Sequence, residues 1–132
     1  MELWDDERTL CTFYTVRWLD AEENETNRFF DTYDNMPEYT EASMALLNFI
    51  IFAIGDDHGA KNELFNRDKN EVKGLPVKGS VRLGTFVYEY PNFPLRLYAL
   101  IITRNIVILF NGGVKDGLKN QTSSLVMKWR EA

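Results

Sequence analysis

Lys73, Lys78, Arg82, Tyr88, Arg96, Tyr98, Lys115 and Lys119 bring positive charge and aromatic rings together in the second half of the chain. Lys and Arg neutralise phosphates, and aromatic rings give unpaired bases a surface to stack on. These residue types therefore suit single-stranded RNA better than a duplex. Two of them also have a purely structural reading: Arg96 as a strand arginine paired with an acid such as Glu89, and Tyr98 as a core tyrosine.

Other chemistries find less support. No G-x-x-x-x-G-K phosphate loop is present, and Gly112-Gly113 falls short of a dinucleotide fingerprint. One histidine, His58, and no nucleophile-elbow serine leave little for a hydrolytic triad. Asp56, Asp57 and His58 lack further ligands at metal-binding spacing, so they read as a polar loop. No metal or cofactor is expected.

Charge is uneven along the chain. Residues 1–71 carry 17 acidic and 6 basic side chains, a balance of −11, and residues 72–132 carry 3 acidic and 9 basic, a balance of +6. Such asymmetry points to polyanion contact, or to an acidic surface that meets a basic partner. Equally, solvated helices collect acids while sheet ends collect lysines.

The elements that must position these residues centre on Leu95–Lys119. Leu97–Ile102 and Ile106–Phe110 are apolar runs joined by Thr103-Arg104-Asn105, the pattern of two neighbouring central strands covered on both faces. Arg96 and Lys115 flank this hairpin, and Asn111-Gly112-Gly113 suggests a bulge or a tight exit. Upstream, Arg8–Leu19 reads as a first strand with Trp4 and its acidic neighbours leading in. Asp20 and Glu23 form a capping box for a helix from Ala21 to about Tyr33. Asn35, Pro37 and Glu38 start a second helix, from about Met36 to Ile54, with Gly55 as its C-cap. Ala60–Phe65 suggests a short helix, and Asn66–Gly79 a polar connector. Val81–Tyr90 reads as one strand with a bulge at Gly84, and its alternation places Arg82, Phe86, Tyr88 and Tyr90 on one face. Leu118–Ala132 suggests a short terminal helix.

This order, β-α-α-β-β-β, predicts an α+β fold: a small, antiparallel-rich sheet with the two helices of the N-terminal half on one face. At 132 residues and 45% apolar content, one domain spanning 1–132 is expected. A single cysteine, Cys11, excludes an intrachain disulfide, and no run has the length of a membrane span. With no secretory signal at its start, the chain is expected to be cytoplasmic and not membrane-bound.

The order R-x-x-Y, turn, N-x-I-V-I-L-F-N-G-G-x-K, with a further Lys119, resembles the C-terminal hairpin of the RelE/ParE toxin superfamily, especially its phage-derived HigB-like branch. The resemblance covers about the last third of the chain. It implies a toxin of a toxin–antitoxin system that enters the ribosomal decoding site and cuts mRNA, and that is held inactive by an antitoxin. It also implies Arg96 as phosphate clamp, Lys115 as a second charge and Lys119 as their neighbour in the catalytic group. The family's tail tyrosine has no counterpart after Tyr98, which leaves the general acid and base unassigned. The alternative is a non-catalytic interaction module of the same fold, its acidic first half binding a basic partner.

Overall fold

A computed structural model describes residues 1–66 and 71–115. They form an α+β fold with a mixed five-stranded sheet, a separate two-stranded sheet and two α-helices. The large sheet has the order β1 (Glu2–Asp5), β2 (Thr12–Thr15), β7 (Ile106–Val114), β6 (Leu95–Thr103), β3 (Lys73–Leu75). Between them, β4 (Gly79–Leu83) and β5 (Phe86–Tyr90) form a hairpin of their own. Among these pairs only β2 and β7 run parallel: the helical crossover from β2 brings β3 in with the direction of β2, β6 reverses it and β7 restores it.

The central hairpin lies where its apolar runs place it. Leu95, Leu97, Ala99, Val107 and Leu109 are fully buried and join Phe13 in the core shared with the helices. Alternation sends Arg96, Tyr98 and Leu100 to the other face. The pairing skips between Leu97–Gly112 and Ala99–Leu109, so Phe110 and Asn111 together oppose Tyr98. The expected bulge is thus real, but Asn111-Gly112-Gly113 continues the strand and does not end it. Gly112 is required there: a Cβ would lie 1.7 Å from the Arg96 carbonyl oxygen.

The first strand divides in two. Trp4 belongs to β1, which pairs antiparallel with β2 and stacks its indole on Phe30. Helix α1 (Glu25–Asp34) starts later than its apparent capping box, because the Asn24 side chain accepts from the Asn27 N–H at 2.8 Å and supplies the cap that Asp20 was expected to give. The buried start of α1 is tied to the sheet by hydroxyls. Thr26 Oγ1 lies 2.6 Å from Thr15 Oγ1 and donates to the Phe110 carbonyl at 3.2 Å. Beside them the Asn111 amide donates to Glu25 Oε2 at 2.5 Å.

Helix α2 (Thr40–Asn48) passes directly into a π-helix, Phe49–His58. The expected cap Gly55 therefore sits inside a helix, where it makes room for Arg8, whose Cγ would be 2.7 Å from a Cβ at that position. Gly59, at φ 77°, terminates the helix instead. The wider turn has a consequence for packing. Phe49 and His58, nine positions apart, would face opposite sides of a helix with 3.6 residues per turn. With about 4.4 per turn they share a side, and both rings flank Tyr88, with centroids at 5.6 and 5.7 Å.

Two expectations fail between Asn66 and Tyr90. The connector contains β3, whose three residues carry no periodic signal of their own and are held by pairing with Leu97–Ala99. Val81–Tyr90 is not one bulged strand: Gly84, at φ 63°, starts a two-residue turn between β4 and β5. The turn changes the faces, since Arg82 pairs with Val87 whereas Val81 pairs with Tyr88. Arg82 therefore lies on the face opposite Phe86, Tyr88 and Tyr90. The segment Leu118–Ala132 lies outside the described residues. Among those residues no helix is long and apolar enough to cross a membrane.

Candidate nucleic-acid interface

A cleft of about 500 Å³ opens at the β3 edge of the sheet, lined by Arg96, Tyr98, Lys78, Glu63, Asn66 and Ser80 among others. Its floor follows from register. Gly74 pairs with Tyr98, and directly paired residues share a face, so the missing side chain of Gly74 leaves space beside Tyr98 and Arg96. Arg96 uses that space: a Cβ on Gly74 would lie 2.6 Å from Arg96 Cδ. The guanidinium donates to the Pro76 carbonyl at 3.3 Å and forms no pair with Glu89. Arg96 is half-buried, so its charge is positioned by packing and by this bond.

Asn66 builds the wall that carries Lys78. Its amide donates to the Pro76 carbonyl at 3.0 Å, and its Oδ1 accepts from the Lys78 N–H at 2.6 Å. The Asn66 N–H in turn donates to the Gly74 carbonyl at 3.0 Å. One residue thus joins the end of the helical half to the β3–β4 connection, where Leu75-Pro76 is cis. Lys78 itself is exposed, so its ammonium is available to an anion at the cleft mouth.

The eight residues picked out by type do not all converge. Arg96, Lys78 and Tyr98 meet in the cleft, Tyr98 with only 8% of its surface accessible. Lys73 pairs with Ala99 and so projects to the helix-side face, away from Arg96. Arg82 and Tyr88 lie on the β4–β5 hairpin, on its two different faces. Tyr88 is occupied structurally: its hydroxyl is 3.0 Å from His58 Nε2, and burial, with a smaller contribution from the nearby Asp57 charge, pushes its ionisation up. Lys115 follows β7 and anchors its backbone, N–H to the Pro94 carbonyl at 2.9 Å. Lys119 lies outside the described residues. Glu63, Asn66 and Ser80 were not legible as site residues, because only the folded path of 62–80 brings them beside Arg96.

The charge asymmetry of the sequence survives in the fold. Among the described residues every ion pair involves Arg8, Arg17 or Arg28, all in the acidic first part. Lys61, Lys73, Lys78, Arg82, Arg104 and Lys115 have no carboxylate of the described residues within 4.0 Å. Asp56 and His58, weighed above as metal ligands, are engaged elsewhere: Asp56 accepts from the Thr9 N–H at 2.9 Å, and His58 packs on Phe86 and Tyr88. Cys11 is buried, and that burial pushes its thiol up to about 12. No family model matches the chain, and no match was found among curated proteins or solved structures.

Proposed function

We propose that this chain is a RelE/HigB-like toxin-family protein that binds single-stranded RNA in the Arg96–Lys78 cleft and cuts mRNA on the ribosome. The observation that carries the reading is the meeting of Arg96 and Lys78 in one open cleft beside a tyrosine, on the sheet face turned away from the helices. A phosphate seated between the guanidinium and the ammonium gains charge-assisted hydrogen bonds. The same two groups stabilise the additional negative charge of a pentavalent phosphorus when the neighbouring 2′-oxygen attacks. Glu63 lines the same cleft, and in this reading its carboxylate takes the 2′-hydroxyl proton as the 2′-oxygen bonds to phosphorus and the P–O5′ bond breaks, while the departing 5′-oxygen takes a proton from water. Lys115 enters this reading through the resemblance, as does Lys119, which lies outside the described residues. An antitoxin that covers the cleft would silence it.

The test adds purified protein to a cell-free translation reaction, with mRNA ends mapped by primer extension, beside Lys78→Ala and Arg96→Ala variants. Cuts that require ribosomes, made by the parent and lost in both variants, support the reading. Intact mRNA across a wide range of protein concentration overturns the nuclease assignment.

A second reading has its own observation. Arg8, Arg17 and Arg28 are already ion-paired, so the surplus carboxylates of α1 and its flanks form an acidic surface available to a basic partner. Under that reading the fold serves as an interaction module, and protein capture, not RNA cleavage, is its activity.

A further inference from the structure

We propose that the bound RNA strand does not stop in the Arg96–Lys78 cleft but runs along the sheet edge, past Glu63, into a second cleft built by Lys61 and Arg104. The inference rests on the RNA-binding reading and extends it to residues that sequence patterning did not select. The second cleft, about 420 Å³, is lined by Lys61, Asn62, Glu63, Thr103 and Arg104 among others. Glu63 lines both clefts, so they are adjacent and meet at that side chain.

The second cleft is held in shape by the fold. The Arg104 carbonyl accepts from the Ala60 N–H at 2.8 Å, and the Lys61 N–H donates to the Gly59 carbonyl at 2.9 Å. Arg104 lies against Gly59, where a Cβ would be 3.4 Å from its Cγ and 3.8 Å from its Nε. Gly59, at φ 77°, thus both ends the π-helix and leaves room for the guanidinium stem. Asn105 fixes the turn that presents Arg104, donating from its amide to the Leu10 carbonyl at 2.7 Å. Lys61 and Arg104 line one cleft, and among the described residues no carboxylate lies within 4.0 Å of either, so their charges repel each other in the absence of an anion.

Distance along the strand sets the length of RNA. Arg96 and Arg104 lie eight positions apart on one strand and its turn, about 26 Å at the rise of an extended chain. At the axial rise of a stacked strand, about 3.4 Å per nucleotide, that path takes roughly eight nucleotides. A short oligonucleotide fills the first cleft alone, and only a longer one reaches Lys61 and Arg104. The carboxylate of Glu63 then faces the middle of the strand.

The test measures fluorescence anisotropy of labelled oligouridylates of four and ten nucleotides with the full chain, a Lys61→Ala/Arg104→Ala double variant and Lys61→Ala alone. The double variant should lose about tenfold in affinity for the ten-mer and flatten its salt dependence by about the two phosphate contacts removed, with four-mer affinity unchanged. Retained four-mer binding also shows that the variant is folded, and Lys61→Ala, which leaves the Arg104–Gly59 packing intact, should show a part of the same loss. Unchanged ten-mer affinity in a parent that binds RNA overturns the two-cleft path and leaves the RNA reading standing, as does an equal loss for both lengths. A parent that binds neither oligonucleotide removes both. Polyglutamate bound by the parent in place of RNA, and released by the double variant, assigns the track to an acidic protein segment and overturns the proposal.

Discussion

Arg96 lies across Gly74, with its Cδ 2.6 Å from where a Cβ would be, and this contact between neighbouring strands places the guanidinium in the cleft. Gly74→Ala should push Arg96 out of position while leaving the backbone pairing of β3 intact. The expected cost in stability is about 1–2 kcal/mol, the range of a mild overpacking. Loss of RNA affinity should be larger in proportion, read by comparing a urea melt with an anisotropy titration. An unchanged affinity would mean that Arg96 is not a phosphate ligand.

Gly112→Ala makes the contrasting case. Its Cβ would lie 1.7 Å from the Arg96 carbonyl oxygen, a backbone atom with no freedom to move aside. Destabilisation of about 3 kcal/mol or more is expected, enough to threaten the fold. Its urea midpoint should fall well below that of Gly74→Ala.

Asn66→Ala removes the two side-chain bonds that tie Pro76 and Lys78 to the end of the helical half. Each net hydrogen bond is worth about 1 kcal/mol, so a loss of about 2 kcal/mol is expected. Hydrogen exchange should speed up at the Lys78 amide, which loses its acceptor. RNA affinity should fall although Asn66 need not touch the ligand.

The central hairpin was legible because β6 and β7 are apolar runs that fill two faces, and Arg96 was legible as an interruption near the start of the first. The partnership of Arg96 with Lys78 was not, since it depends on β3, three residues whose strand character comes from pairing with Leu97–Ala99. Parity decided the rest. Lys73, one position from Gly74, faces the other way, and the turn at Gly84 separates Arg82 from Tyr88. The apolar run of the second helix announced a helix but not its change of pitch at Phe49, which alone lets His58 reach Tyr88.

Tyr88→Phe tests that packing. It removes the hydroxyl bonded to His58 at 3.0 Å and keeps the ring against Phe49, so a loss of about 1 kcal/mol is expected in a thermal melt. RNA affinity should not change. A large drop in affinity with normal stability would return Tyr88 to the binding surface.

The buried Cys11 thiol, pushed up to about 12, ionises more readily in the unfolded chain, where its ordinary value is 9.0. The unfolded state therefore releases its proton first as pH rises. This contribution to stability is fully present below pH 9.0 and lost progressively toward pH 12. Tyr88 and Tyr90, both raised by burial, act in the same direction. Urea midpoints should fall between pH 9 and 10.5, less steeply in Cys11→Ala relative to its own value at pH 7, and a thiol reagent should label the native protein only as fast as it opens.

The most direct measurement of the central claim is photocrosslinking of a 4-thiouridine-containing single-stranded RNA to the full chain, with the attached peptides identified by mass spectrometry. Attachment at the segments that carry Lys78 and Arg96–Tyr98, abolished by Lys78→Ala and by excess unlabelled RNA, is the predicted result. Attachment confined to α1 and α2, or none at any RNA concentration that saturates a control RNA-binding protein, would contradict it.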